Sequence, residues 1–333
     1  MKKIGKTCIK LCKLISLPVL VYLFFFLLCK FKGVEGFGVG GNLTVILRNT
    51  IQTGLIALAV SYNLTSGRFD FSVGATLVLS TIMGGMLTLQ FNLGPIAMLL
   101  LCLLFGAILG GLGGALYTIL RIPPMVVSLG VAMIYEAIGF LISKGAGVKL
   151  LGKSNLMIWS KQPYIYILCI AILAVLILIL NYTKFGYDNR ALSTGQEIAV
   201  NIGIKEKKNA IICYIIAGAL LAGSGVISIS ILGTMSPEMS LSSLSYIQNA
   251  FLPMFIGNML AKHADRNTGV LIGALTQATI TAAFGKLAIG SSWSNILNGL
   301  IVLAFFAYSF NSYRIEEHRR FKQKREMAEH YQS

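Results

Sequence analysis

TKFGYDNRALSTGQEIAVNIGIKEKK, Thr183–Lys208, is the longest polar segment between the two ends of a chain that is otherwise mostly apolar. It is bracketed by YIYILCIAILAVLILILNY (Tyr164–Tyr182) and AIICYIIAGALLAGSGVISISIL (Ala210–Leu232), blocks of the length and apolarity that a membrane crossing needs. Inside the polar segment GQEIAVNIG, Gly195–Gly203, carries a short helix signal after Thr194-Gly195 that stops at Gly203. Ile198, Ala199 and Ile202 share a face of that helix, and Glu197 sits in its first turn, where the helix dipole favours an acid. A helix this short is marginal alone and needs a partner surface, either the ends of its own spans or a docked subunit. A protein that only spans a membrane has no use for an ordered helix in a polar loop; one that takes force from a soluble partner does.

Composition widens the same reading to the whole chain. Hydrophobic residues make up 56% of the 333, and charged residues 12%, about half of the roughly 25% usual in soluble domains. Mean hydropathy is +0.76. A water-soluble fold of this size has no way to hide so much apolar surface. The expected class is all-α, a polytopic integral membrane helix bundle. The net charge of +16 does not point to nucleic acid, because the basic residues lie mainly in tails and loops between apolar blocks, where they mark the cytoplasmic side and touch anionic lipid. The cysteines (8, 12, 29, 102, 169 and 213) are scattered and make no CxxC pair, so they read as unpaired small apolar residues. His263, His318 and His330 form no metal-spaced cluster, and no phosphate-binding loop or catalytic signature is present. No catalytic residue, metal or cofactor is expected.

About ten segments have the length and apolarity of spans: 14–30, 43–62, 73–90, 95–120, 125–143, 164–182, 209–231, 247–260, 269–285 and 293–310. Eight to ten is the working range. The first reads as a retained span rather than a cleaved signal, since KFKGVEGFG follows it and offers no small-x-small site. The segment 247–260 is short and broken by Gln248, Asn249, Pro253 and Gly257, as in spans that line a transport path or in a re-entrant helix with no direct role. Ten crossings put the lysine-rich start of the chain, the 183–208 loop and the basic tail 311–333 on one side, taken as cytoplasmic; residues 1–310 form the membrane domain. The 144–163 loop, with Lys144, Lys149, Lys153 and Lys161, disagrees with that orientation.

Four motifs stand out. SGRFDFSVGA, Ser66–Ala75, holds Arg68 and Asp70 between apolar runs, with Asp70 and Ser72 placed either to cap the next helix or to line a path. LRIPPMVVSLG, Leu120–Gly130, stops one helix and starts another through its two prolines. Glu136, six residues on, lies inside a span, with Arg48 or Lys286 as possible counter-charges. SYIQNAFLPMFIGN, Ser245–Asn258, brings Tyr246, Gln248 and Asn249 to the edge of a span, as lining for a polar solute or as interfacial anchors.

At these residues the chain resembles the permeases of bacterial ABC importers for ribose and related sugars, a group that also holds branched-chain amino acid, nucleoside and autoinducer-2 permeases. The family pattern GGIDLSVG stands here as SGRFDFSVG, keeping Gly67, Asp70, Ser72, Val73 and Gly74. The next signature appears as GALYTILRIPPMVVSLG, Gly114–Gly130, and the cytoplasmic one as GYDNRALSTGQEIAVNIGI, Gly186–Ile204. The family's glycine-rich hinge is reduced here to GNMLAKHADRN, and Glu136 and Asn249 stand where the family commonly has Arg and Asp. The resemblance implies that 183–208 is the coupling loop, with Gly195, Gln196, Glu197, Ala199, Asn201 and Gly203 meeting an ATPase subunit. It implies Asp70, Ser72, Glu136, Tyr246, Gln248 and Asn249 as path candidates. It also implies ATP bound only by that partner, a second permease copy or homologue, an extracellular solute-binding protein, and residence in the bacterial cytoplasmic membrane. Two rivals remain at this point: a transporter driven by an ion gradient, and an intramembrane enzyme, against which the missing catalytic constellation speaks.

Overall fold

The computed structural model describes residues 2–64, 67–260, 266–290, 292–304, 307 and 311, with side chains from residue 16 onward except that of 260. In chain order the helices are α1 (Lys2–Phe31), α2 (Gly41–Leu64), α3 (Val73–Gln90), α4 (Pro95–Leu120), α5 (Pro124–Ser143), α6 (Tyr164–Tyr182), α7 (Lys184–Thr194), α8 (Gln196–Asn201), α9 (Glu206–Leu232), α10 (Ser245–Leu260), α11 (Arg266–Lys286) and α12 (Ser292–Ala304). Two short strands, β1 (Val148–Lys149) and β2 (Thr234–Met235), pair antiparallel. Nearly all of the basic tail and the middle of the Gly257–Asn267 hinge lie outside the described residues.

Among the described residues, seven helices are long and apolar enough to cross a membrane: α2, α3, α4, α5, α6, α9 and α11. The other three expected spans fall on α1, α10 and α12, whose described apolar stretches are Ser16–Phe31, the 16 residues of α10, and Ser292–Ala304. Burial runs against hydropathy. The most apolar window, in α6, is only 22% buried, whereas those of α3 and α9 are 72% buried. That is the pattern of a bundle whose solvent is lipid: the greasiest helix faces outward, and the helices rich in glycine, serine and threonine are inside.

The α4–α5 connection is built as the prolines require. Arg121 takes a left-handed conformation at φ 56° after α4, and Pro124 opens α5. The tightest packing is the α4–α9 seam. A Cβ on Gly106 would overlap the Gly218 carbonyl oxygen, and one on Gly110 would overlap that of Tyr214. Backbone lies on backbone there, with no room for a side chain.

The loop between α5 and α6 is tied down at one end of the bundle. Val148 pairs with Met235, Leu150 N–H donates to the Gly233 carbonyl at 2.7 Å, and Trp159 Nε1 donates to the Pro95 carbonyl at 3.0 Å. This is the β end. The α7–α8 segment follows α6 and precedes α9, so it stands at the opposite end, the α8 end.

Candidate coupling and translocation site

The site begins where α2 stops. Gly67, at φ 73°, closes the helix: its N–H donates to Leu64 O at 2.9 Å, and Arg68 N–H donates to Asn63 O at 3.0 Å, the two bonds of a Schellman cap. The chain then runs without helix through Arg68, Phe69 and Asp70. The Asp70 carboxylate accepts from Ser72 N–H at 2.8 Å and from Ser72 Oγ at 2.6 Å. Ser72 is the N-cap of α3, but its hydroxyl points back to Asp70 and makes no bond into the helix. The expectation that Ser72 caps α3 with its side chain is corrected: the short Asp70 side chain folds the turn first and takes the hydroxyl.

A second non-helical segment meets this one inside the bundle. After β2 the chain turns back from the β end, and Ser240 and Leu241 take left-handed conformations at φ 57° and 62°. The N–H groups of Leu241 and Ser243 donate to the Glu136 carboxylate at 2.8 and 3.1 Å. Glu136 lies seven residues short of the α5 C-terminus, about 10 Å in from that end, so the turn hangs deep in the bundle. On its other side it presses on α3, where a Cβ on Gly74 would overlap the Ser243 carbonyl oxygen. Irregular backbone at such depth is tolerated where protein buries it and satisfies its polar groups. The expected counter-charge for Glu136 is therefore corrected. The carboxylate binds two backbone N–H groups, while Arg48 Nε is buried without an acceptor and Lys286 Nζ lies 3.5 Å from where a Cβ of Gly36 would stand.

This junction explains why α10 is short. Ser245, its first residue, follows the turn held by Glu136, so α10 starts part-way through the bundle rather than at its edge. Rings connect it to the first segment: Phe69 lies 4.7 Å from Phe71 and 5.8 Å from Phe251, which in turn lies 6.3 Å from Phe255.

Arg68 is 2% exposed, and among the described residues its Nε and Nη1 have no hydrogen-bond acceptor. The amide of Asn63 is in the same condition. A buried polar group left unpaired costs about 1–3 kcal/mol, so these atoms add no stability in this arrangement.

At the α8 end, Thr183 caps α7 by accepting from Gly186 N–H at 3.4 Å. Arg190 Nη2 donates to Leu180 O and Asn181 Oδ1, both at 2.6 Å, folding α7 back against α6. Then comes α8. Its exit repeats the α2 cap: Gly203, at φ 97°, donates to Val200 O at 2.9 Å, and Ile204 N–H donates to Ala199 O at 3.1 Å. A cleft of about 590 Å³ opens between α7, this exit and α9, lined by Lys184, Asp188, Gly203, Lys205 and Lys208 among others. The α8 segment lies near the first non-helical segment: a Cβ on Gly67 would stand 3.9 Å from Gln196 Oε1.

Residues 42–306 match the family described as the permease component of branched-chain amino acid transport systems. The chain belongs to that family. It is the permease component of an ABC transporter, a multi-pass membrane subunit with no catalytic role of its own. The permease is 25% identical over 275 residues to a fructose import permease of Rhizobium meliloti, covering 79% of this chain and 76% of that one. It is 27% identical over 270 residues to a ribose import permease of Bacillus subtilis, with 79% and 82% covered. It is 28% identical over 261 residues to an autoinducer 2 import system permease of Photorhabdus luminescens, with 76% and 77% covered.

The expected residues fall into three places in the permease. Asp70, Ser72 and Glu136 are all buried and gather around the two non-helical segments. Tyr246 is half-buried, and Gln248 and Asn249 are exposed on α10. In the coupling set Gln196, Glu197 and Asn201 are exposed, Gly195 is half-buried and Ala199 is buried. Ala199 is thus corrected from a surface contact to the anchor under α8, and Ile198 and Ile202 are turned outward on their own. Sequence reasoning missed the whole helix α7 and the role of Leu241 and Ser243. Their contribution is a pair of backbone N–H groups, which no side-chain pattern announces.

Proposed function

We propose that this permease forms one half of the path by which an ABC importer moves a small polar solute, a sugar or related compound, across the bacterial cytoplasmic membrane. Both chain termini and α8 lie in the cytoplasm. A separate ATPase subunit binds ATP and grips α8 through Gln196, Glu197 and Asn201. A second copy or a homologue completes the path, facing Tyr246, Gln248 and Asn249, and an extracellular solute-binding protein delivers the cargo. The observation that carries this reading is the run of neighbours from α8 to the core: Gln196 near Gly67, Asp70 and Ser72 at the head of α3, Gly74 against Ser243, and Ser243 on Glu136 at the start of α10. Motion imposed on α8 has a route to the helix that bears the exposed polar residues. The ion-gradient reading is less well supported, because both intramembrane acids, Asp70 and Glu136, are already engaged by donors of this chain.

The test is uncoupling. Glu197→Lys, and separately Gly203→Val, which forces a β-branched residue into a left-handed backbone, are expected to insert normally and to lose ATP-driven uptake by about tenfold or more, on the scale of 1.4 kcal/mol per decade. Normal uptake by both variants in vesicles holding the complete importer would remove α8 from the drive.

A further inference from the structure

The β end carries charge that the membrane does not call for. Between Ser143 and Tyr164 the chain has Lys144, Lys149, Lys153 and Lys161 and no acid. All four lysines are exposed. In the orientation proposed above this loop is outside the cell, against the usual bias of basic residues to the cytoplasmic side.

Nor is the loop a loose tether that happens to be basic. Val148, Leu150, Leu156 and Trp159 are buried in the main core, and the pairing of β1 with β2 fixes its register. The lysines between these anchors stand at set positions. Two clefts flank the strand pair. One, of about 470 Å³, lies between the α3–α4 turn and residues 152–156, and holds Lys153 with Asn92, Ser154 and Asn155. The other, of about 390 Å³, lies between the end of α3 and residues 146–149, and holds Lys149 with Gln90. Each contains one cation and neutral hydrogen-bonding groups, and no carboxylate lines either. Lys153 Nζ is satisfied only weakly, by Asn92 Oδ1 at 3.4 Å.

We propose that these clefts receive carboxylates from an acidic surface of the soluble protein that docks on the β end. One acid enters beside Lys149 and one beside Lys153, with Lys144 and Lys161 steering the approach from the rim. The proposal rests on the importer reading and specifies how its outer partner is held. The spacing of the two clefts along a loop fixed by the strand pair sets the register of the docked protein, so the interaction discriminates by position as well as by charge.

The experiment uses the complete importer in lipid nanodiscs and the solute-binding protein that supports its uptake. It reads the concentration of that protein giving half-maximal stimulation of ATP hydrolysis. Lys149→Glu with Lys153→Glu is expected to raise that concentration about tenfold or more, leaving ATP hydrolysis without the binding protein unchanged. Lys149→Gln with Lys153→Gln, which removes the charge and adds no repulsion, is expected to give a smaller rise. Raising salt from about 0.05 to 0.5 M shortens the screening length and is expected to weaken docking of the native permease more than that of the glutamine variant. Unchanged half-saturation in both variants overturns the proposal while leaving the importer reading intact. So does a variant whose only defect is weaker association with phosphatidylglycerol vesicles, which would assign the lysines to lipid. Failure of the native complex to couple uptake to ATP hydrolysis would overturn the importer reading itself, and this docking mode with it.

Discussion

The α4–α9 seam and the junction around Glu136 are both buried contacts inside one bundle, and they are held together in opposite ways. The seam is helix against helix, glycine against backbone carbonyl. The junction is two non-helical segments joined by a carboxylate, a tight contact at Gly74 and a few aromatic rings. Close packing of small residues resists any change of spacing, because every displacement opens a gap or makes a clash. A junction hung on two hydrogen bonds can exchange them and settle elsewhere. The difference divides the subunit into a frame and a part able to move against it, and Gly67, the point nearest Gln196 of α8, falls on the movable part.

The sharpest way to break that comparison is in the seam. Gly110→Leu puts a branched side chain into the Tyr214 carbonyl, and is expected to cost about 3 kcal/mol or more. The readout is loss of monodisperse, folded protein after detergent extraction, with little left to assay for transport. A native-like melting profile would show that the seam yields and is no frame.

Next in size is the junction. Glu136→Ala leaves the N–H groups of Leu241 and Ser243 without acceptors, at about 1–3 kcal/mol for each buried donor left unpaired. Glu136→Gln keeps the shape and one acceptor oxygen, but its amide nitrogen faces the second N–H, so it is expected to fall between the two. Uptake is expected to drop in the same order as thermal stability. If Glu136→Ala melts like the native protein, the turn is held by something other than this carboxylate.

The smallest effect has the opposite sign. Arg68→Met removes a buried cation with unpaired nitrogens, and is expected to raise stability by about 1 kcal/mol or more while lowering uptake. Stability lost together with uptake would mean that the guanidinium is satisfied in the folded state and acts as ordinary structure.

Much of the frame was legible in the sequence. Expected spans 73–90, 95–120 and 164–182 coincide with α3, α4 and α6 to the residue, because each is a mostly apolar run without a charge, set off by Gly, Pro or polar residues. The Gly195–Gly203 segment pointed to a short helix. The junction was not legible. SPEMSLSSLSY, Ser236–Tyr246, has the composition of an ordinary surface connection, and it is drawn inside by one glutamate more than a hundred positions away in the chain. Once that bond places the turn, the shortness of α10 follows. Ala199 and Ile198 were expected on one face because i and i+1 positions were grouped; the 100° step between them is enough to bury one and expose the other.

The outward turn of Ile198 and Ile202, 69% and 75% exposed, bears on how the subunit survives before it is assembled. A freshly synthesised copy presents two greasy side chains to water on a six-residue helix that has no stability to spare. Until a companion covers that stub, the copy is a substrate for chaperones and proteases. Supply of the companion therefore sets how many copies the membrane keeps, and orphaned subunits should disappear by turnover rather than accumulate.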